Sequence, residues 1–376
     1  MNKCIIIIMV VCLTVSCTHN KTSLSIGPGV VSLSSPQDVI VEMTGETILQ
    51  QVSYVKLSAI PLLSRIKKIQ IADERIYLWD LVVGIVCYDM SGELLFQLNA
   101  RGQGPGEYTD INAFAVNASL HQLVIYDNMK QSLMFYSTED GRFVKSEKFN
   151  KPTPAEIAYW GGYFFYHNRL HRNYQDDISL HYYLLASKDG ITIGKRYFKH
   201  ENNKEDYPFS PSGHNLYDNN SKLYYCRDFD NIVYQIHEDS VVPRFRINLP
   251  NPLPASMIEG RPNEMSLLRS GYSLGITDIY EYGGLLFFRF VKDGYIWSCL
   301  YNVEESKQVY CAKRIKFLDS SLIDTIDGIY KDCFYSILTP EYLDYAFSEN
   351  PLEDYPDLFK TYDVEEIIRL LLFIGQ

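Results

Sequence analysis

The chain has 376 residues, enough for a large core and long for one domain unless that domain is assembled from repeats. Hydrophobic residues make up 46% and charged residues 22%, which excludes a disordered chain, and 14% aromatics with 30 tyrosines favour strands over helices. A formal charge of −11 without any basic stripe argues against a nucleic-acid partner.

The first seventeen residues, MNKCIIIIMVVCLTVSC, carry Lys3 and then an apolar run from Ile5 to Val15. That run is too short to span a bilayer and reads as the core of a signal peptide over residues 1–16. It ends in LTVSC, which resembles a bacterial lipobox, and the resemblance implies that Cys17 is lipidated and becomes the mature N-terminus. The competing reading is an ordinary secretory signal that happens to contain a cysteine. Several acyl chains hold a protein on a membrane where one does not. Residues 17–40, rich in Ser, Thr and Gly, then form a lipidated tether. Thr18 stands where the inner-membrane retention signal has Asp, so an outer-membrane lipoprotein is expected, with the face of that membrane left open.

Beyond the tether the chain repeats itself. RIYLWDLVVGIVCYDMSGELLFQL (75–98) and QLVIYDNMKQSLMFYSTEDGRFVKSEKF (122–149) both open with an apolar strand closing on Asp, at Asp80 and Asp127. Each continues with a second strand, a polar turn ending in Gly92 or Gly141, and a third strand; the Asp residues lie 47 apart and the Gly residues 49 apart. Further copies run over 222–249 and 284–317, a longer one with an insertion lies between, and IDGIYKDCFYSIL (326–338) begins another. Short strands recurring at roughly 40 to 50 residues fit the blades of a β-propeller, and residues 41–340 then hold six, with five or seven left open because two copies are degenerate. The fold class is therefore all-β.

RGQGPGEY (101–108) separates the first two copies. Its glycines could cradle a phosphate, but no strand-loop-helix pattern surrounds them, so that reading fails on context. Gly102, Gly104 and Gly106 allow positive φ and Pro105 fixes its own, as a corner between two blades requires. Glu107 is expected to pair with Arg101 inside this structural loop. GQGPGEY, followed by an apolar strand, LVIYD and DGRFV, resembles the repeat of NHL-type propellers, and more closely the six-bladed propeller lipoproteins of Bacteroides and related bacteria. That family implies a six-bladed propeller on the cell envelope and brings no assigned catalytic residues. The likeness is strongest over residues 66–149 and continues in rhythm to about residue 338.

The C-terminal segment departs from the pattern. Residues 341–376 read as a loop and a helix packing on the propeller, with Asp363 and Glu366 in a capping-box arrangement before IIRLLLFI. A strand within 46–58 is expected to complete the last blade instead.

Chemistry is harder to find. His167 and His171 are four apart, with His181 beyond, but no HExxH is present and a solvated loop is the expected reading. Asp176 and Asp177 lack the spacing of a calcium loop. Neither a metal nor a cofactor is expected. Cys87, Cys226 and Cys333 sit among apolar neighbours and read as core, whereas Cys299 and Cys311 flank the turn NVEESK, where a disulfide could form. Asp80, Asp127 and Asp228 recur at one blade position, which suggests capping of turn amides. Two long segments, 199–221 and 250–270, are rich in Pro, Asn and Ser and could line a channel mouth; they make Tyr207, Phe209, His214, Arg261 and Arg269 the candidate ligand contacts. Two functions follow: a non-catalytic envelope lipoprotein binding or scaffolding a glycan, peptide or protein partner, or a propeller lyase or hydrolase at the channel mouth.

Overall fold

A computed structural model describes residues 29–33, 40–43, 51–149, 153–168, 178–200, 210–349 (except 212, 220, 261, 318–324 and 332) and 370–375. Strands β1 (Gly29–Ser32), β2 (Ile40–Met43) and β3 (Gln51–Lys56) precede the repeats. The first repeat is the meander β4–β7 (Ile66–Ala72, Arg75–Asp80, Gly84–Asp89, Leu94–Leu98). The second is β8–β11 (Ala113–Asn117, Gln122–Asp127, Ser132–Ser137, Phe143–Lys148). The third is β12–β15 (Pro154–Trp160, Tyr163–Asn168, Tyr182–Ser187, Lys195–Lys199) and the fourth β16–β19 (Leu216–Asn219, Lys222–Tyr225, Ile232–Ile236, Val241–Asn248). After helices α1 (Ala255–Glu259) and α2 (Glu264–Leu268) comes β20–β23 (Ser273–Tyr282, Leu285–Lys292, Tyr295–Asn302, Lys307–Ala312), then β24 (Arg314–Phe317). The chain ends in β25 (Gly328–Tyr330), β26 (Cys333–Leu338), helix α3 (Pro340–Glu349) and β27 (Leu370–Gly375).

These strands form an all-β propeller. Five sheets have four strands each: β4–β7, β8–β11, β12–β15, β20–β23, and a composite of β25, β26, β27 and β3. Where six equal blades are expected, the remaining meander β16–β19 is instead a five-stranded sheet, because β1 adds to β19 in parallel. Strand β2 pairs in parallel with β24.

Stacking explains the nearly continuous apolar strands. Successive side chains of a strand face opposite ways. On β5, Tyr77 and Trp79 pack into the layer shared with the second sheet, while Ile76 and Leu78 pack into the layer shared with Tyr335 of the last. Tyr126, Phe149 and Tyr166 fill the next layer, and Phe165, Leu184 and Tyr225 the one after. Each such side chain contributes about 1.5–3 kcal/mol by leaving water, so a sheet sandwiched between two neighbours gains on both faces.

The segment after residue 349 corrects the sequence reading. Leu370–Gly375 is not helical: it is a strand between β26 and β3, antiparallel to both. A short apolar run fits a doubly covered strand as well as a buried helix, and periodicity cannot separate them. Asp363 and Glu366 lie outside the described residues. The N-terminal strand does complete the last sheet, with Leu370 opposite Lys56 and Gly375 opposite Gln51.

RGQGPGEY turns the corner between β7 and β8. The Tyr108 amide donates to Ala100 and the Gly102 amide to Tyr108, at 2.8 and 2.9 Å. Buried Tyr108 anchors the loop through its hydroxyl, 3.2 Å from the Leu98 carbonyl. Gly106 has φ +78°, and a Cβ on Gly102 would overlap the Glu107 carboxylate. The expected Arg101–Glu107 pair is replaced: Glu107 accepts the Gly104 amide at 2.8 Å, and Arg101 donates to the Leu81 carbonyl at 2.8 Å. The tight turn folds Glu107 back on its own backbone, while Arg101 reaches the preceding sheet.

Asp80 and Asp127 cap amides as expected. Asp80 accepts Ser64 and Arg65 at 2.7 and 2.6 Å with one oxygen, and Val82 and Val83 at 2.8 and 3.1 Å with the other. Burial opposes its ionisation, but these four amides outweigh that and lower its pKa. Asp127 takes Thr109 and Lys130 at 2.5 and 3.0 Å. Asp228 departs from the pattern, holding the Ser210 hydroxyl and the Asn215 amide group at 2.7 and 3.0 Å. Cys299 and Cys311, cross-strand partners on β22 and β23, form a disulfide with Cα atoms 4.1 Å apart. The segment 250–270 is not loop throughout, since it contains α1 and α2.

Candidate functional site

The first strand of each sheet lines the axis, and these inner strands carry charges among their apolar residues. Lys67 and Lys68 lie on β4, Glu156 on β12, Asp218 on β16 and Asp278 on β20. Side chains stitch one inner strand to the next. Gln70 accepts the Val116 amide at 3.1 Å, Asn112 donates to the Pro154 carbonyl at 2.5 Å, and Asn219 donates to Ile279 at 3.1 Å. Between the strands lies a cavity of about 550 Å³, reaching from Arg65 and Lys68 past Glu156 and Tyr217 to Arg289 and Tyr335.

One wall is built on Glu156. Its Oε2 accepts the amides of Asn215 and Leu216 at 2.7 and 2.9 Å, tying β12 to β16. Its Oε1 lies 3.5 Å from Lys68 Nζ and 3.3 Å from His214 Nδ1. Neither nitrogen is aligned for a well-formed hydrogen bond, so Oε1 is a buried acceptor with two donors beside it and neither bond completed. Lys68 Nζ donates to the carbonyls of Phe114 and Ile157 at 3.2 and 3.1 Å and lies 5.3 Å from the centre of the Phe114 ring. Burial alone would raise the Glu156 pKa, but Lys68, His214 and the Asn215 amide outweigh it and hold the group down to about 2. It is a fixed anion at neutral pH.

The facing wall is built on Arg289. Its Nε donates to Asp278 Oδ2 at 2.8 Å and its Nη1 to Thr325 at 3.0 Å. Asp327 accepts the Ile337 amide at 2.8 Å, and burial followed by the charges of Asp327 and Asp218 raises the Tyr335 pKa. A second cavity of about 340 Å³ meets the first at Lys67, Lys68, Glu156 and His214, and extends to Trp79 and Asn128.

Of the expected contacts, His214 reaches this site, ahead of β16. Arg269 is exposed at the end of α2 and lines neither cavity. Tyr207, Phe209 and Arg261 lie outside the described residues, as do Cys17, His171, Asp176 and Asp177. His167 is not in a solvated loop: it is buried on β13, its Nδ1 3.1 Å from the Tyr225 hydroxyl. Among the described residues no group of three His, Cys, Asp or Glu is placed to hold a metal, and no helix is long and apolar enough to cross a membrane. Sequence reading missed Lys68, Glu156, Asp278 and Arg289. Their signal was present: for Lys68, Glu156 and Asp278 a charge inside the first strand of a repeat, as in RIKKIQI, PAEIAYW and ITDIYEY, and for Arg289 a charge inside the second, LLFFRFVK.

The chain belongs to the family described as a domain of unknown function, DUF4934, whose profile matches residues 32–366. Two solved structures share the fold. One is a Bacteroides fragilis protein carried under the provisional description of an exported protein. It is 17% identical, with a TM-score of 0.74 over 92% of this chain and 100% of its own. The other, a DUF4221-family member from Bacteroides vulgatus, is 11% identical, with a TM-score of 0.52 over 87% of this chain and 96% of its own. A search among curated proteins finds no match to the chain.

Proposed function

We propose that the protein is an exported propeller of the cell envelope that binds a ligand in its central channel without transforming it. The β16–β19 meander with its added strand serves as the sixth blade of an NHL-like ring. The anchor is the lipidated Cys17, placing the propeller at the outer membrane as a lipoprotein. The provisional description of the Bacteroides fragilis neighbour as exported supports export of this chain.

The observation carrying the binding reading is the state of Glu156. A general acid or base works best with a pKa near the working pH. The channel's most buried carboxylate is instead pushed down to about 2, with one oxygen committed to two amides. It serves to hold the wall. The 3.3 Å approach of His214 Nδ1 to Glu156 Oε1 favours a second reading, an acid–base enzyme at the same place.

One experiment separates the two. The full chain in detergent is heated with a panel of glycans and short peptides. A ligand at about 100 times its dissociation constant adds about 2.7 kcal/mol and raises Tm by a few degrees. Recovery of that ligand unchanged supports binding; conversion at a rate abolished by His214→Ala supports the enzyme. Incorporation of labelled acyl chain by the wild type and not by Cys17→Ser tests the anchor.

A further inference from the structure

Four cations and four carboxylates line the channel, and Arg65 and Lys67 are the two cations without an ion-pair partner among the described residues. Lys68 is matched by Glu156 and Arg289 by Asp278. Asp218 and Asp327 of the far wall are engaged by protein groups. Arg65, just ahead of β4, and Lys67 on it both line the cavity with exposed side chains. Neither has a carboxylate partner among the described residues, in a chain whose formal charge is −11. A cation kept free on a cavity wall of an acidic protein is a place for an anion.

A second observation narrows the ligand. Glu156 is 5% exposed and borders both cavities, and its Oε1, with His214 at 3.3 Å and Lys68 at 3.5 Å, has no well-aligned hydrogen bond from either. A buried acceptor in that state gains from a donor. An ammonium donor is opposed by Lys68, 3.5 Å from the same oxygen, so a neutral hydroxyl fits better. The cavity of about 550 Å³ lies in the range that holds small molecules. We propose that the channel binds a small carboxylated polyhydroxyl compound, an acidic sugar, its carboxylate against Arg65 and Lys67 and a hydroxyl donated to Glu156 Oε1. This rests on the binding function proposed above and names its ligand class.

The test is calorimetric titration of the full chain in detergent with D-glucuronate, D-glucose and inorganic phosphate. Glucuronate should bind at least about tenfold more tightly than either other probe. Arg65→Gln and Lys67→Gln, both at exposed side chains, should each weaken glucuronate severalfold, and the double variant should bind it no better than glucose. Added salt should weaken the wild type and leave the double variant nearly unchanged. Glucose binding as tightly as glucuronate overturns the anionic ligand while channel binding stands. Phosphate binding as tightly overturns the hydroxyl contact. No binding of any probe overturns the proposal, and the broader panel above then decides the binding function by itself.

Discussion

Replacing Glu156 by Gln isolates the charge at the centre of the channel wall. The amide keeps an oxygen for the Asn215 and Leu216 amides but turns a donor toward Lys68, whose ammonium loses its counter-ion. The pKa of Glu156 falls from an ordinary 4.5 to about 2 in the folded chain. At about 1.4 kcal/mol per unit, that corresponds to about 3 kcal/mol of stability at neutral pH. Unfolding entropy of about 2 cal/mol/K per residue, over 376 residues, turns this into a Tm lower by about 4 °C. The folded pKa lies below the unfolded one, so the contribution is complete above about 4.5 and disappears as pH falls toward 2. Thermal denaturation of both proteins across pH 7 to about 2.5 is the assay. The difference in Tm should be largest at neutral pH and shrink below about 4.5, with little dependence on salt because the group is buried. A difference independent of pH would refute the reasoning, since it would place the loss in packing.

Asp80→Asn keeps one acceptor oxygen and removes the other from two of four backbone amides, so urea denaturation should report a loss of about 2 kcal/mol. Gly92 has φ +89°, and a Cβ there would overlap the Lys56 carbonyl oxygen at the seam where β3 joins the ring. Gly92→Ala should cost more than about 1 kcal/mol and lower the denaturation midpoint. Denatured without reductant, Cys87, Cys226 and Cys333 should alkylate while Cys299 and Cys311 do not. Replacing that pair by serines removes a cross-link spanning 12 residues and should cost up to about 3 kcal/mol.

The ring was legible because each sheet leaves a local mark. Asp80 and Asp127 recur in sequence because each caps the same turn and lead-in loop, and the glycines of 101–108 mark the corner between β7 and β8. Residues 370–375 were not legible. LLLFIG is apolar at nearly every position, and that pattern lacks the alternation that would distinguish a strand from a helix. His167 was misplaced because its partner, Tyr225, belongs to the next sheet, 58 residues on.

The channel was illegible for a different reason. Lys68, Glu156 and His214 come from three separate repeats, and closure of the ring alone makes them neighbours. None points to the others in the sequence: Lys68 follows Lys67 in an apolar strand, Glu156 is a lone charge in another, and His214 sits in a polar loop. The physics of the axis gives such charges meaning. An inner strand has no second sheet over its axial edge, so polar side chains are tolerated there, but a charge taken out of water must be matched. Lys68 with Glu156 ties the inner strands β4 and β12, and Arg289 with Asp278 joins β21 to β20 within one sheet; both satisfy that condition, so their removal should be felt first in stability. Arg65 and Lys67 remain in contact with water and stabilise no neighbour through a carboxylate. Their neutral variants should fold with nearly unchanged Tm and reveal themselves in binding. Paired charges hold the ring, and Glu156 does so with both oxygens, Oε2 on two amides and Oε1 beside Lys68 and His214.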